Sequence, residues 1–263
     1  MLIKRVLLGV ILLSLSACVT TNEVTGRRQL ITIPPSQDIA LGASALSEVK
    51  KTAPVVTTGP QAERIKRIGQ RIAAISHAPN MEWEFIIIDE PVLNAWALPG
   101  GKIAVYSKMA ETFNTDAEIA AILGHEVAHA VLRHGAEQVS RGQLQNLAIA
   151  GLGVAVGATT EDAKTAQLAV ALGSMAAQGF VQLPHSRAME LEADDVGTSY
   201  MAKAGFDPRA SVKLWQKMKS LKDGKQAPSP FFSTHPADDQ RIARLQTKMD
   251  VYLAEYKGAV RRY

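Results

Sequence analysis

The sequence predicts a single, mostly helical α+β domain with a small β-sheet. Apolar residues recur at three- and four-residue steps, as in Ile65, Ile68, Ile72 and Ile75, which is the period of an amphipathic helix. Only two short runs, at 83–89 and 102–107, are β-branched or aromatic in the manner of strands. No internal repeat and no second composition regime divides the chain. Its 263 residues, 47% hydrophobic and 21% charged, suffice for one sizeable core and argue against a fibrous or disordered protein.

The start of the chain reads separately. Lys4 and Arg5 precede an uncharged apolar run, Val6 to Ala17, too short to span a bilayer of roughly 30 Å. A basic start, a short apolar stretch and small residues at its end have the form of a secretory signal peptide. It closes on "LSAC", and Cys18 is the only cysteine. The four residues resemble a bacterial lipobox, so residues 1–17 are expected to be a lipoprotein signal peptide and Cys18 the acylated first mature residue. Residues 18–35, polar and ending in two prolines, read as a tether, and 36–263 as the domain. Lys4 and Arg5 would leave with the leader, halving the formal net charge of +4. The pI near 9.1 is then a poor argument for nucleic acid, and no such partner is expected.

Helical spacing begins at "SQDIALGASALSEVKK", with Ser36 as the expected N-cap. Gln61 to Ser76 is the isoleucine-striped helix. Trp83 to Asp89 is a strand, "NAWALPGG" (Asn94 to Gly101) a loop, and "KIAVYS" (Lys102 to Ser107) a second strand. Thr115 to His134 reads as a helix, opened by a capping box of Thr115 and Glu118. Two small-residue apolar runs follow, within Leu147 to Gln178. Each is shorter than the roughly 20 residues of a membrane span, and a buried helical hairpin is the expected form. His185 to Lys203, Pro208 to Leu221 and Pro236 to Tyr256 complete the helices.

The chemistry concentrates in "HEVAH". Positions four apart share a helix face, so His125 and His129 can hold one metal, with Glu126 beside them to act on a water. This is the H-E-x-x-H pattern of zinc peptidases. The surrounding residues are apolar, so these polar side chains would be buried and need partners. Zinc also takes a third protein ligand and keeps one position open. A histidine ten residues after His125 would supply it in one class, but that position is Gly135. "HSRAMELEADD" offers Glu190 and Asp194 on one face. One carboxylate can ligate while the other orients a ligating histidine, and spacing alone does not choose between them. Glu192 points elsewhere and reads as solvated.

The stretches "TGRRQL", "NAWALPGGKIAVYS", "HEVAHAVLRH", "SRAMELEAD" and "STHP", with Arg241 and Ile242 after it, resemble the HtpX-like and CAAX-prenyl-protease-like zinc peptidases, peptidase family M-48. The bacterial lipoprotein members are the most similar. The resemblance implies a zincin-like (gluzincin) fold with a small sheet beside the H-E-x-x-H helix, one zinc ion per chain, Glu190 as third ligand and Asp194 as the aspartate of E-x-x-x-D. Arg187 and Arg241, inside the matching stretches, are candidate supporting residues. His185 stands where an aromatic residue is usual, and its role stays open.

The function expected is a membrane-anchored endopeptidase that cuts misfolded or unassembled envelope proteins, with Glu126 as general base. Its lipid would anchor it in the outer membrane, facing the periplasm of a Gram-negative host. The alternative is a chaperone-like assembly factor with secondary or latent protease activity. An exposed strand edge would hold substrate extended, and the residues nominated for it are Lys102, Ile103, Ala104, Val105 and Tyr106. His235 is expected at a helix N-terminus, with Pro236 as first helical residue. That end would favour a neutral imidazole. The resemblance puts the "STHP" segment near the metal, either plugging the zinc at rest or stabilising the oxyanion, with the plug favoured.

Overall fold

The strand runs lack polar alternation because both faces of the sheet are covered. The computed structural model describes residues 19–150, 186–223, 229–236 and 238–260. The expected leader, Cys18, His185 and most of 147–178 lie outside the described residues. Strands β3 (Val55–Val56), β4 (Glu84–Ile88), β5 (Ala95–Leu98) and β6 (Lys102–Tyr106) form a sheet in the order β3-β4-β6-β5. β4 and β6 are parallel, with Phe85 opposite Ile103 and Ile87 opposite Val105. Helix α1 (Pro35–Thr52) covers one face, setting Ala45, Leu46 and Val49 against Ile86, Ile88, Trp96, Leu98, Ala104 and Tyr106. The isoleucine-striped α2 (Pro60–Ala73) and α4 (Asp116–Val131) take the other, and their core includes Ile65, Ile68, Ile72, Ile119, Ile122 and Leu123. Each such buried side chain contributes roughly 1.5–3 kcal/mol.

The remaining helices are α3 (Ser107–Thr112), α5 (His134–Ala150), α6 (Arg187–Lys203), α7 (Arg209–Asp223), α8 (Pro230–Thr234), α9 (Asp239–Thr247) and α10 (Met249–Val260). α6 packs along α4, and the two come closest where Gly124 meets Gly197. A Cβ on Gly197 would stand 2.5 Å from the Gly124 carbonyl oxygen, and one on Gly124 2.6 Å from that of Gly197. Only glycine permits this approach of backbone to backbone. Among the described residues no helix is long and apolar enough to cross a membrane.

Several sequence expectations change. "NAWALPGG" is not all loop: Ala95–Leu98 is a strand that returns as β6 through Gly100 and Gly101, whose φ angles of 71° and 79° suit glycine alone. β6 therefore lies inside the sheet, paired on both sides and buried throughout. Residues Lys102 to Tyr106 cannot form an edge; among the described residues the sheet ends at β5 on that side and at β3 on the other. The N-cap of α1 is Pro34 rather than Ser36, because Pro35 occupies the first turn. The segment read as a tether is ordered from its second residue: β1 (Val19–Thr21) and β2 (Arg28–Leu30) form an antiparallel hairpin. Its polar side chains find partners on α5 and α6, which composition could not reveal.

Candidate metal centre

Two crossed helices bring the donors together. α4 starts at the expected capping box, in which Thr115 accepts from the Glu118 amide while Glu118 reaches back to the Thr115 amide. It carries His125, Glu126 and His129 into the interior, where they are 3%, 1% and 2% exposed. α6 starts at Ser186, whose side chain accepts from the Met189 amide, and delivers Glu190 and Asp194, both buried. The Nε2 atoms of His125 and His129 face each other at 3.0 Å. Glu190 lies 3.4 Å from both, through Oε2 to His125 and Oε1 to His129. His125, His129, Glu190 and His235 each offer a ligand atom, all within 4.8 Å of one another.

The two carboxylates of α6 occupy different positions. Glu190 belongs to the donor group, whereas Asp194 Oδ1 lies 3.0 Å from Nδ1, the outer nitrogen of His125. Asp194 is itself fixed: Arg241 donates to both its oxygens at 2.6 and 2.7 Å, and Trp215 Nε1 donates at 3.1 Å. The Arg241 guanidinium lies over the Trp215 ring, 3.4 Å from its centroid, and reaches Glu190 Oε2 at 2.7 Å. Removing one partner of such a buried ion pair costs about 3–5 kcal/mol. Arg187, by contrast, is exposed on the first turn of α6, lining a small crevice with Glu190 and Arg241.

The electrostatics suit a cation. Burial alone would raise the Glu190 carboxyl and lower the His125 imidazolium. His235 and Arg241 instead hold Glu190 well below the usual carboxylate range. Hydrogen bonding to Asp194 and Glu190 carries His125 up to about 9. Burial raises the Glu126 carboxyl, and its Oε1 has no hydrogen-bond partner among the described residues. A buried oxygen without a hydrogen bond is costly, and this one stands beside the donors, where a group bound at the ion could satisfy it. Three imidazoles and a carboxylate are a donor set that zinc accepts. The residues fit the ion.

His235 reaches the centre from an unexpected position. Pro230, not Pro236, occupies a first helical turn, behind the Ser229 cap, and His235 is the C-cap of the short α8, its amide donating to Phe231 O at 2.8 Å. The next helix, α9, is capped by Asp238, which accepts from the Arg241 amide. The argument from a positive helix end therefore does not apply to His235. Its Nδ1 lies 3.0 Å from Glu190 Oε1 and 3.2 Å from His125 Nε2, and its Nε2 is 3.7 Å from Glu126 Oε1.

Other residues of the centre escaped the sequence reading. α4 ends at Leu132, and Arg133 adopts a left-handed φ of 56°, which turns the chain so that His134 folds back. His134 Nδ1 meets His129 Nδ1 at 3.0 Å, and its Nε2 lies 3.2 Å from Glu192 Oε2. Glu192 is therefore not solvated. It accepts from Thr25 Oγ1 at 2.8 Å and from Arg27 Nε at 2.5 Å. These contacts join residues far apart in sequence, so no local spacing signals them. The sole hint was that "TGRRQL" and the last histidine of "HEVAHAVLRH" lay in stretches already singled out. The edge strand β5 runs beside α4, and Ala97, Leu98 and Pro99 share a small crevice with His129, Ala130 and Arg133.

Comparison with known proteins adds the family. The mitochondrial metalloendopeptidase OMA1 of Arabidopsis thaliana is 37% identical over 176 residues, 67% of this chain and 33% of that protein. OMA1 of Saccharomyces cerevisiae is 34% identical over 171 residues, 63% of this chain and 46% of that protein. A putative beta-barrel assembly-enhancing protease of Vibrio cholerae is 29% identical over 215 residues, 80% of this chain and 44% of that protein. The chain thus spans between a third and a half of the length of these relatives. The sequence model of Peptidase family M48 matches residues 60–249. That match takes in both crossed helices and the His235 segment, so the donors stand inside it: the chain belongs to the zinc metallopeptidases of family M48.

Proposed function

We propose that the protein is a membrane-anchored zinc endopeptidase of the bacterial cell envelope, acting on misfolded or unassembled envelope proteins. The observation that carries the catalytic part is the buried Glu126 Oε1, without a hydrogen bond among the described residues, beside the His125, His129 and Glu190 donors. Zinc held by these donors would supply Lewis-acid polarisation of a water and of the scissile carbonyl. Glu126 takes the water's proton at Oε1 and passes it to the leaving amine. Burial raises its basicity, which favours that role. Asp194 holds His125 through its outer nitrogen. The substrate backbone adds as a strand to the β5 edge, Ala95–Leu98, which the crevice at His129 brings alongside the donors.

The envelope assignment rests on the "LSAC" end of the leader-like segment and on the assembly-enhancing protease of Vibrio cholerae among the relatives. Val19, not aspartate, follows Cys18, which favours the outer membrane in a Gram-negative host. A second reading, an assembly factor whose protease is latent, draws support from His235, whose Nδ1 stands among the donors. Cleavage of casein with and without chelator, for wild type and Glu126→Gln, tests the endopeptidase reading. Wild type should cut and lose activity with chelator. Glu126→Gln should bind zinc normally and cut at least 10²-fold more slowly. Equal cleavage by the two would remove Glu126 from the mechanism.

A further inference from the structure

We propose that His134 and Glu192, held by Thr25 and Arg27 of the N-terminal hairpin, position the metal donor His129 and fix which of its ring nitrogens faces the metal. The inference rests on the reading of His129 as a ligand. His129 Nε2 faces His125 and Glu190. Its other nitrogen, Nδ1, faces His134 Nδ1 at 3.0 Å. Two ring nitrogens that close must share one proton, so one donates and the other accepts.

Glu192 decides which. Arg27 Nε donates to one of its oxygens at 2.5 Å and Thr25 Oγ1 to the other at 2.8 Å. Both donors favour the ionised, acceptor-only carboxylate. His134 Nε2, 3.2 Å from Glu192 Oε2, must then carry its proton and donate. In a neutral imidazole that leaves His134 Nδ1 as the acceptor. His129 Nδ1 in turn donates to it, and the lone pair of His129 Nε2 is directed at the metal. A bond to the outer nitrogen of a ligating histidine sets both its tautomer and its orientation.

The fold maintains this path at a cost. The left-handed Arg133 that returns His134 to His129 is an unfavourable conformation for a residue with a side chain. Arg133 is tied down, donating to Asp38 Oδ2 and to Ile33 O, each at 2.6 Å. The hairpin secures the same turn, since Gln29 Nε2 and Asn22 Nδ2 both donate to Leu132 O, at 2.8 and 3.3 Å. Arg27 also binds Glu137 through both terminal nitrogens, at 3.1 and 2.6 Å. The hairpin is thereby a working part of the metal centre.

The test is zinc affinity, measured by competition with a chromogenic chelator on the full chain, together with the visible spectrum of the cobalt(II)-loaded protein. Glu192→Gln should weaken zinc by about 10–100-fold and shift the cobalt bands. Asp207→Asn breaks the exposed ion pair with Arg209, which touches neither the hairpin nor the donors, so it should leave the cobalt bands in place and weaken zinc less than threefold. A purely structural role predicts the reverse for Glu192→Gln: a lower melting temperature with unchanged affinity and spectrum. That result, or equal losses of affinity in the two variants, would overturn the proposal. His129→Ala separates the underlying reading: if it binds zinc as tightly as wild type, the ligand assignment fails and the relay with it. If only His129→Ala loses zinc, the ligand stands and the relay alone falls.

Discussion

The imidazole of His235 stands 3.0 Å from Glu190 Oε1 and 3.7 Å from Glu126 Oε1, within reach of a ligating oxygen and of the proposed base. The two roles open to it have opposite signatures. As a resting plug it competes with substrate, and His235→Ala should then cleave faster in single-turnover assays at matched zinc occupancy. As an oxyanion donor its loss should lower kcat by about 10²–10³. The approach of Nδ1 to the donors favours the first outcome, and a slower variant would refute it. At this scale the sequence was informative about His125, Glu126 and His129, because helix geometry puts the two histidines on one face with the glutamate beside them. It was less informative about the acids of α6. Glu190 and Asp194 share a face, so spacing left them equivalent and the family resemblance separated them; the position of Arg241, Trp215 and His125 around Asp194 gives the physical reason.

Among the elements, the amphipathic helices and the β4 and β6 runs were legible because each buries a periodic apolar face. β5 was missed because it is four residues long and abuts Pro99 and two glycines, so turn signals masked it. Missing it also misplaced the edge, since β6 becomes interior only once β5 is paired. The hairpin was missed for a different reason: its stabilising contacts are polar and distant. Burial opposes the charge on Glu137, yet the bonds from Arg27 hold its carboxyl below its ordinary value, and Glu192 is held low in the same way by His134, Thr25 and Arg27. A depressed folded-state value gives stability that is fully present above the unfolded value of about 4.3 and is lost as pH falls through the folded one. Urea unfolding of wild type and Arg27→Gln should therefore differ by on the order of 1 kcal/mol at pH 6. The gap should close as the pH falls below about 4. A gap that stayed constant down to pH 3 would assign the stabilisation to packing instead of charge.

For the molecule as a whole, the hairpin begins one residue after Cys18. If that cysteine is acylated, the anchor joins a hairpin whose Thr25 and Arg27 bind Glu192, with almost no chain between lipid and domain. Acyl chains contribute about 0.8 kcal/mol per buried CH₂. Cys18→Ser should move the protein from the membrane fraction to the soluble one, or stall its processing. Equal membrane recovery of variant and wild type in fractionated cells would remove the lipid anchor from the proposed function.

The contact of Gly124 with Gly197 acts as a gauge on the centre. Gly124 immediately precedes His125, and Gly197 lies within one turn of Asp194. Two main chains in contact cannot approach further, and burial of the surrounding helices resists their parting. The separation of the helix that carries the histidines from the one that carries the glutamate is thus set by backbone contact. A side chain at either glycine would force those helices apart and draw Glu190 away from His125 and His129, so the two glycines are as much a requirement of the centre as its donors.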